Sequence, residues 1–299
     1  MVCVYRSAPA LALALGLAWT LGALPAGAGA LSVQRDDLQR DVTFAHEPRR
    51  IITLLPSLTE TVCALGACDR LVATDRYSEW PQQVRSLPKA GGLDDAEVEL
   101  IVALKPDLVL VSRSQRITDR LGELGIASFA LQTDRYADIA HTVTTIGAIL
   151  GRSREAAELN ASIAAGVNRI GAQALLRRRG EGPTVYFEVD RAPYAAGPGS
   201  FIGELLARLG ARNIVGADLG AFPKLNPEYV VRYNPDVIFI SAMDAPGLAA
   251  RPGWDQIRAV KEQRLCSFAA DVNDTIVRPG PRVADGMRAI DDCLARVAP

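Results

Sequence analysis

Apolar residues in this chain come in short runs, separated by polar segments of helical period. The clearest such stretch occurs twice. Residues Glu97 to Ser112 read EVELIVALKPDLVLVS, and Asn226 to Ser241 read NPEYVVRYNPDVIFIS. In register, Glu99 meets Glu228, Val102 meets Val231, Pro106 meets Pro235, Asp107 meets Asp236 and Ser112 meets Ser241. Each copy predicts a short helix ending before Pro-Asp, because proline disfavours the helical region for the residue before it. A strand covered on both faces follows, since LVLV and VIFI are continuous apolar runs rich in β-branched residues. The alternative is chance, because αβ units often pass through Pro-Asp. A gap-free match at five positions of 16 favours a duplicated unit.

The same pattern orders the rest of the chain. An extended lead-in covers 31–49, with His46 a solvated surface residue, and a strand runs from Ile51 to Leu55. Pro56 opens a helix that Ser57 or Thr59 caps and Gly66 terminates. Leu71 to Thr74 is a strand, and a long loop, the kind that usually carries function, extends from Asp75 to Leu93. After the first repeat come helix Ile117 to Leu124, strand Ala127 to Leu131 and helix Tyr136 to Leu150. Ser153 to Arg179 differs. Leu159, Ile163, Val167, Ile170 and Ala174 recur at three- and four-residue steps, which predicts one helix of about seven turns, capped by Ser153 and closed by Gly180. Its end, Arg177-Arg178-Arg179, complements the helix dipole. Strand Thr184 to Val189, helix Ser200 to Leu209 and a short strand from Asn213 lead to the second repeat. Helix Trp254 to Val260, strand Arg264 to Phe268, a loop from Asp271 to Pro281 and helix Arg282 to Val297 complete the chain.

A second echo supports duplication. SLTETVCALGACDRLV and FIGELLARLGARNIV align Leu65-Gly66-Ala67 with Leu209-Gly210-Ala211 and Glu60 with Glu204. The expected fold class is α/β: two lobes with parallel sheets, bridged by one long backbone helix. The expected partition is 1–30 a signal peptide, 31–152 an N-terminal lobe, 153–180 the linking helix and 181–299 a C-terminal lobe.

Charge and composition narrow the function. The 33 basic and 34 acidic residues nearly cancel, and no long basic run occurs, which argues against nucleic acid as a partner. The N-terminus carries Arg6, the apolar run LALALGLAWTLGAL and the small-x-small site Ala28-Gly29-Ala30. This is the pattern of a cleaved signal peptide, and it predicts export to the periplasm as a soluble monomer. Cys3 leaves with the signal. An oxidising compartment then permits disulfides among Cys63, Cys68, Cys266 and Cys293. A local bridge between Cys63 and Cys68 and a second between Cys266 and Cys293 are candidates, four buried thiols are the alternative, and sequence leaves the pairing open. With no CxxC and only His46 and His141, no metal site is expected.

No GxSxG, HExxH or Walker A motif is present, which argues against an exported α/β enzyme. The AAGPGS turn at 195–200 reads as a helix cap rather than an anion site. Two exported lobes suggest ligand capture, with ligands sitting beyond the carboxyl ends of the strands. Loops there offer Tyr77, Trp80, Tyr194 and Phe222 as aromatic walls, with Asp274 and Arg278 in the last loop and Arg113 at a strand end.

RIITLLPSLTETVCALG, RYSEWP and EVELIVALKPDLVLVS together resemble the substrate-binding proteins of ABC importers for vitamin B12, haem and iron siderophores. The resemblance covers roughly 48–297. It implies two Rossmann-like lobes, no catalysis, no cofactor, and delivery of a small molecule to membrane permease subunits. Among its members the vitamin B12 binders are most similar, which makes a corrinoid the expected ligand and haem or a ferric siderophore the alternative. By resemblance Tyr77, Trp80, Phe222, Asp274 and Arg278 are ligand contacts, and Glu99 and Glu228 are permease-docking residues. Two departures stand out: Gly91-Gly92-Leu93 falls where a tryptophan is expected, and Glu188 where a pocket aromatic is expected.

Overall fold

Two parallel sheets and one long helix carry the architecture. The computed structural model describes residues 1–3, 32–178, 180–190 and 193–298 of the chain. The expected signal segment, from its fourth residue on, and Arg179 lie outside the described residues. No helix among the described residues is long and apolar enough to cross a membrane.

The lead-in is an antiparallel hairpin, β1 (Ser32–Arg35) and β2 (Asp41–Phe44), rather than one extended segment. The buried Asp36 carboxylate makes the turn by accepting the amides of Leu38 (3.0 Å) and Arg40 (2.9 Å). The first sheet contains β3 (Ile51–Thr53), β4 (Leu71–Thr74), β5 (Leu108–Ser112) and β6 (Ser128–Leu131), all parallel in the order β4-β3-β5-β6. Helices α1 (Pro56–Ala64), α2 (Val98–Leu104), α3 (Thr118–Glu123) and α4 (Tyr136–Ile149) connect and cover it. Neither Ser57 nor Thr59 caps α1. Pro56 fills the first turn, where no amide donor is needed, and Thr59 is drawn instead to Thr53 (2.6 Å).

Helix α5 (Ser153–Arg177) has 25 residues and spans about 38 Å. Arg152, not Ser153, stands at its N-cap, with no side-chain cap bond. Ala156 belongs to the core of the first lobe, whereas Ile163, Val167, Ile170 and Ala174 belong to the core of the second. The second sheet has β11 (Leu265–Phe268), β10 (Val237–Ser241), β7 (Thr184–Asp190) and β9 (Arg212–Asn213) parallel, with β8 (Tyr194–Ala195) antiparallel to the end of β7. Helices α6 (Phe201–Arg208), α7 (Pro227–Tyr233), α8 (Arg258–Lys261), α9 (Ala270–Val277) and α10 (Val283–Val297) complete this lobe.

Two expectations differ here. The helix over 254–260 is broken at Ile257, because Asn234 Oδ1 captures the Arg258 amide (2.7 Å) and starts α8 afresh. The expected loop over 271–281 is largely helix α9. Ile276 is buried and Val272 and Val277 pack beside it, so three apolar residues hold an otherwise polar segment against the core.

The two copies of the duplicated stretch carry helix, cap and strand at matched positions. Helices α2 and α7 each end on a left-handed residue, Lys105 (φ 46°) and Asn234 (φ 46°), before Pro-Asp and a strand. Asp107 accepts the amides of Arg49 (2.8 Å) and Arg50 (2.9 Å) ahead of β3. Asp236 accepts the amide (2.8 Å) and hydroxyl (2.7 Å) of Thr184 at the start of β7. Each aspartate therefore fastens its strand to the next one. Cys63 and Cys68 are joined, with Cα atoms 4.1 Å apart, and Cys266 and Cys293 are joined at 5.9 Å, tying β11 to α10.

Candidate ligand-binding site

The carboxyl ends of the strands of both lobes border a cleft, and a cavity of about 440 Å³ opens in it. The first lobe contributes Leu55, Pro56, Ser57, Arg76, Tyr77 and Glu79, and the second Ala270, Asp274, Val277, Arg278 and Pro279. Close approach of the lobes depends on Gly280, whose added Cβ would lie 3.2 Å from that of Ser57.

A buried chain of hydroxyls sets the Tyr77 wall. Thr59 links Thr53 (2.6 Å) to Ser78 (2.7 Å), and Ser78 donates to Asp75, which also accepts the Tyr77 amide (2.8 Å). Burial raises the Asp75 carboxyl above its usual range, against the pull of these donors and of Arg278 and Lys89. The Lys89 ammonium is lowered by burial and donates to Thr74 Oγ1 (2.9 Å) and the carbonyl oxygens of Ser78 (2.7 Å) and Val84 (3.2 Å). The loop is thus tied to β3, β4 and α1, while the Tyr77 side chain stays 58% exposed.

Opposite, Arg278 donates to Asp274 Oδ2 (2.6 Å), to Glu60 Oε1 (3.3 Å) and to the Tyr77 carbonyl (3.0 Å). Arg282 donates to both oxygens of Glu60, at 2.9 and 2.6 Å. Glu60 lies on the first lobe and both arginines on the second, so this cluster clasps the lobes at the cleft. Asp274 is raised above the usual carboxylate range, chiefly by burial, with Arg278 opposing. The hydroxyl of Ser57 is buried without a partner in the wall of the cavity.

Of the expected ligand residues, Tyr77, Asp274 and Arg278 come together here. Trp80 does not line this cavity. It stands beside it in a hollow of about 290 Å³ that Glu60 and Arg282 share, with the Arg282 guanidinium 5.0 Å from its ring. Tyr194 and Phe222 also lie outside the cavity: Tyr194 bridges to Lys224, and Phe222 rests on Phe201 (6.4 Å). Glu188, at the position expected to be aromatic, is buried and takes Arg251 bidentately at 2.5 and 2.7 Å, with the Tyr186 hydroxyl at 3.1 Å. Burial and this carboxylate push the Tyr186 phenol far up. Ser200 caps α6 by accepting the Gly203 amide (3.0 Å), which gives AAGPGS its structural role. Glu99 and Glu228 are exposed in the first turns of α2 and α7. Sequence reasoning missed Ser57, Arg76 and Arg282 as cleft residues. It registered Glu60 only as an echo of Glu204. The match was the available signal, since a carboxylate kept at equivalent points of two lobes invites a shared role.

A family model described as periplasmic binding protein matches residues 51–271. The chain belongs to that family. It is a binding protein of ABC-importer type rather than an enzyme. An uncharacterised ABC transporter substrate-binding lipoprotein of Bacillus subtilis is 29% identical over 268 residues, covering 87% of this chain and 84% of the relative. A cobalamin-binding protein of Halobacterium salinarum is 30% identical over 258 residues, covering 82% and 69%. The solved periplasmic haem-binding protein of Roseiflexus sp. RS-1, in its apo form, superimposes with a TM-score of 0.74 at 22% identity, over 84% of this chain and 99% of that one. Family members of this kind bind small ligands and work with permease subunits, and the two-lobed α/β fold is shared with the solved relative.

Proposed function

We propose that this periplasmic binding protein captures a corrinoid, vitamin B12 or a cobinamide-like relative, and delivers it to an ABC importer. The charge balance of the cavity carries the reading. Arg278 is already engaged by Asp274 and Glu60, and Arg76 by Asp95 at 2.6 Å. A ferric siderophore or the propionates of haem would find these arginines occupied by carboxylates. The positively charged corrin core of a cyano-cobalt(III) complex suits such a site, with Tyr77 as an aromatic wall. The relative named cobalamin-binding supports the same choice. The cavity encloses part of the macrocycle, and the rest lies in the open cleft, where Trp80, Tyr194 and Phe222 present exposed rings.

Glu99 and Glu228 are the proposed handles for the permease, one per lobe. Two exposed carboxylates in matched helices orient the protein on paired basic patches. The division 31–152, 153–180 and 181–299 then gives each lobe one handle, and the N-terminal segment supplies export. Calorimetric titration with cyanocobalamin, haemin and a ferric hydroxamate tests the ligand. Micromolar or tighter binding of cyanocobalamin, about −8 kcal/mol, is expected. Haemin binding without corrinoid binding overturns the proposal.

A further inference from the structure

A second hollow, of about 340 Å³, opens at the strand ends beside the main cavity. Ser112, Arg113, Ser114, Gln132, Thr133 and Asp134 line it. They follow directly on β5 and β6, while the main cavity sits over the ends of β3 and β4 in the same sheet. Two strand spacings put the hollows roughly 10 Å apart. Both are therefore within the crevice where α/β sheets bind ligands.

Arg113 is held in place, yet among the described residues it makes no salt bridge. Its amide donates to the Leu131 carbonyl (2.8 Å), and its guanidinium Nη1 donates to Gln132 Oε1 (2.5 Å). The Gln132 backbone N–H donates in turn to Asp37 Oδ2 (2.6 Å). Among the described residues, Arg113 forms no ion pair, in contrast to Arg76 and Arg278 in the main cavity. Asp134 also lines the hollow and attracts Arg113 electrostatically, but the two form no salt bridge. The hydroxyls of Ser112 and Ser114, 3.0 Å apart, line the same hollow with groups that donate as readily as they accept.

The duplicated turn in the other lobe shows that this cation is not a requirement of the fold. Ser112 Oγ accepts the Ser114 amide and Ser241 Oγ accepts the Met243 amide, both at 3.3 Å. The equivalent of Arg113 is Ala242. The same turn is built without an arginine, so the charge serves something other than local structure.

We propose that Arg113, with Ser112, Ser114 and Thr133, forms an anion subsite for the phosphodiester of a complete corrinoid whose ring occupies the main cavity. This deepens the corrinoid proposal and rests on it. The two hollows then match the two charges of the ligand: a cavity whose arginines are already paired with carboxylates for the cationic ring, and an arginine outside any salt bridge for the phosphate.

The test uses cyanocobalamin and cyanoaquacobinamide, which keeps the cationic cyano-cobalt(III) corrin core but lacks the phosphodiester and its nucleotide, titrated calorimetrically into the wild-type protein, Arg113→Met and Arg113→Lys. The wild type is expected to favour cyanocobalamin at least tenfold. Arg113→Met is expected to lose most of that preference while its cobinamide Kd stays within about twofold, and Arg113→Lys to retain part of it. Unchanged binding of cobinamide also reports that the variant is folded. If both corrinoids bind but Arg113→Met weakens them equally, or neither, the subsite is overturned and the corrinoid proposal stands. If neither binds the wild type, the corrinoid proposal falls and the subsite with it.

Discussion

Glu60 and Glu204 occupy equivalent positions in α1 and α6, and each reaches across to the other lobe. Glu60 accepts Arg278 and Arg282 from the second lobe, while Glu204 accepts Arg135 Nε and the Tyr136 amide from the first, both at 3.2 Å. The two contacts are related by the duplication but not in strength. The Glu60 side chain is 3% exposed and that of Glu204 is 23% exposed, beside an Arg135 that is 62% exposed. Solvent therefore screens the second pair far more than the first.

That asymmetry predicts unequal variants. Glu60→Ala should destabilise the protein by about 3 kcal/mol, because it leaves the partly buried Arg282 guanidinium without a carboxylate and Arg278 with Asp274 alone. Glu204→Ala should cost under about 1 kcal/mol. Urea unfolding of both checks this, and equal midpoints would refute the difference.

Tyr77 should dominate ligand affinity among the aromatic residues. Its loop is fixed in advance by Asp75 and Ser78, so little ordering is lost on binding. Tyr77→Ala should weaken corrinoid binding by about tenfold to a hundredfold, equivalent to about 1.4–2.8 kcal/mol. Phe222→Ala, outside the cavity, should change it by less. Titration calorimetry at one salt concentration decides the order.

Asp236 gives the stability a definite acid limb. Burial would raise its pKa, but the Thr184 amide and hydroxyl and Arg258 outweigh burial and hold it below the usual carboxylate range. A folded pKa below the unfolded value of about 4 means the stabilisation is fully present above pH 4. It is lost as pH falls through the folded pKa. Asp236→Asn should therefore be less stable than wild type at neutral pH, and the gap should shrink below about pH 4. A constant gap in denaturation midpoints between pH 7 and pH 3 would contradict this.

The two disulfides should contribute unequally. The Cys266–Cys293 bridge closes 27 residues and the Cys63–Cys68 bridge 5. Chain entropy then assigns about 3.5 kcal/mol to the first and about 2 kcal/mol to the second. Paired Cys→Ser variants compared by chemical unfolding measure both.

Charge reversal of Glu99 and Glu228 together should abolish transport while leaving ligand affinity unchanged. Uptake in a strain lacking the endogenous binding protein, set beside calorimetry on the purified variant, separates these two effects. Normal uptake would remove the docking role.

Much of the fold was legible because its signals are local. LVLV and VIFI read as buried strands, the three- and four-residue spacing of Leu159 to Ala174 reads as one helix face, and Pro-Asp marked the same boundary twice. Helix α9 was not legible, since Asp271, Asn273, Asp274 and Thr275 suggest a loop, and only packing of Val272, Ile276 and Val277 against the second-lobe core makes them helical. The site followed the same division. Tyr77, Asp274 and Arg278 belong to recognisable segments. Ser57 and Arg282 matter because the lobes meet at Gly280, a contact no local pattern encodes. Asp107 and Asp236 read as turn residues, yet their work is to fasten neighbouring strands through backbone amides.

Helix α5 gives Ala156 to one hydrophobic core and Ile163 through Ala174 to the other. Neither lobe can melt without stripping apolar surface from the element that its neighbour also needs. Heating should therefore produce a single calorimetric transition rather than two, and a ligand seated in the cleft should raise that one temperature for the whole chain.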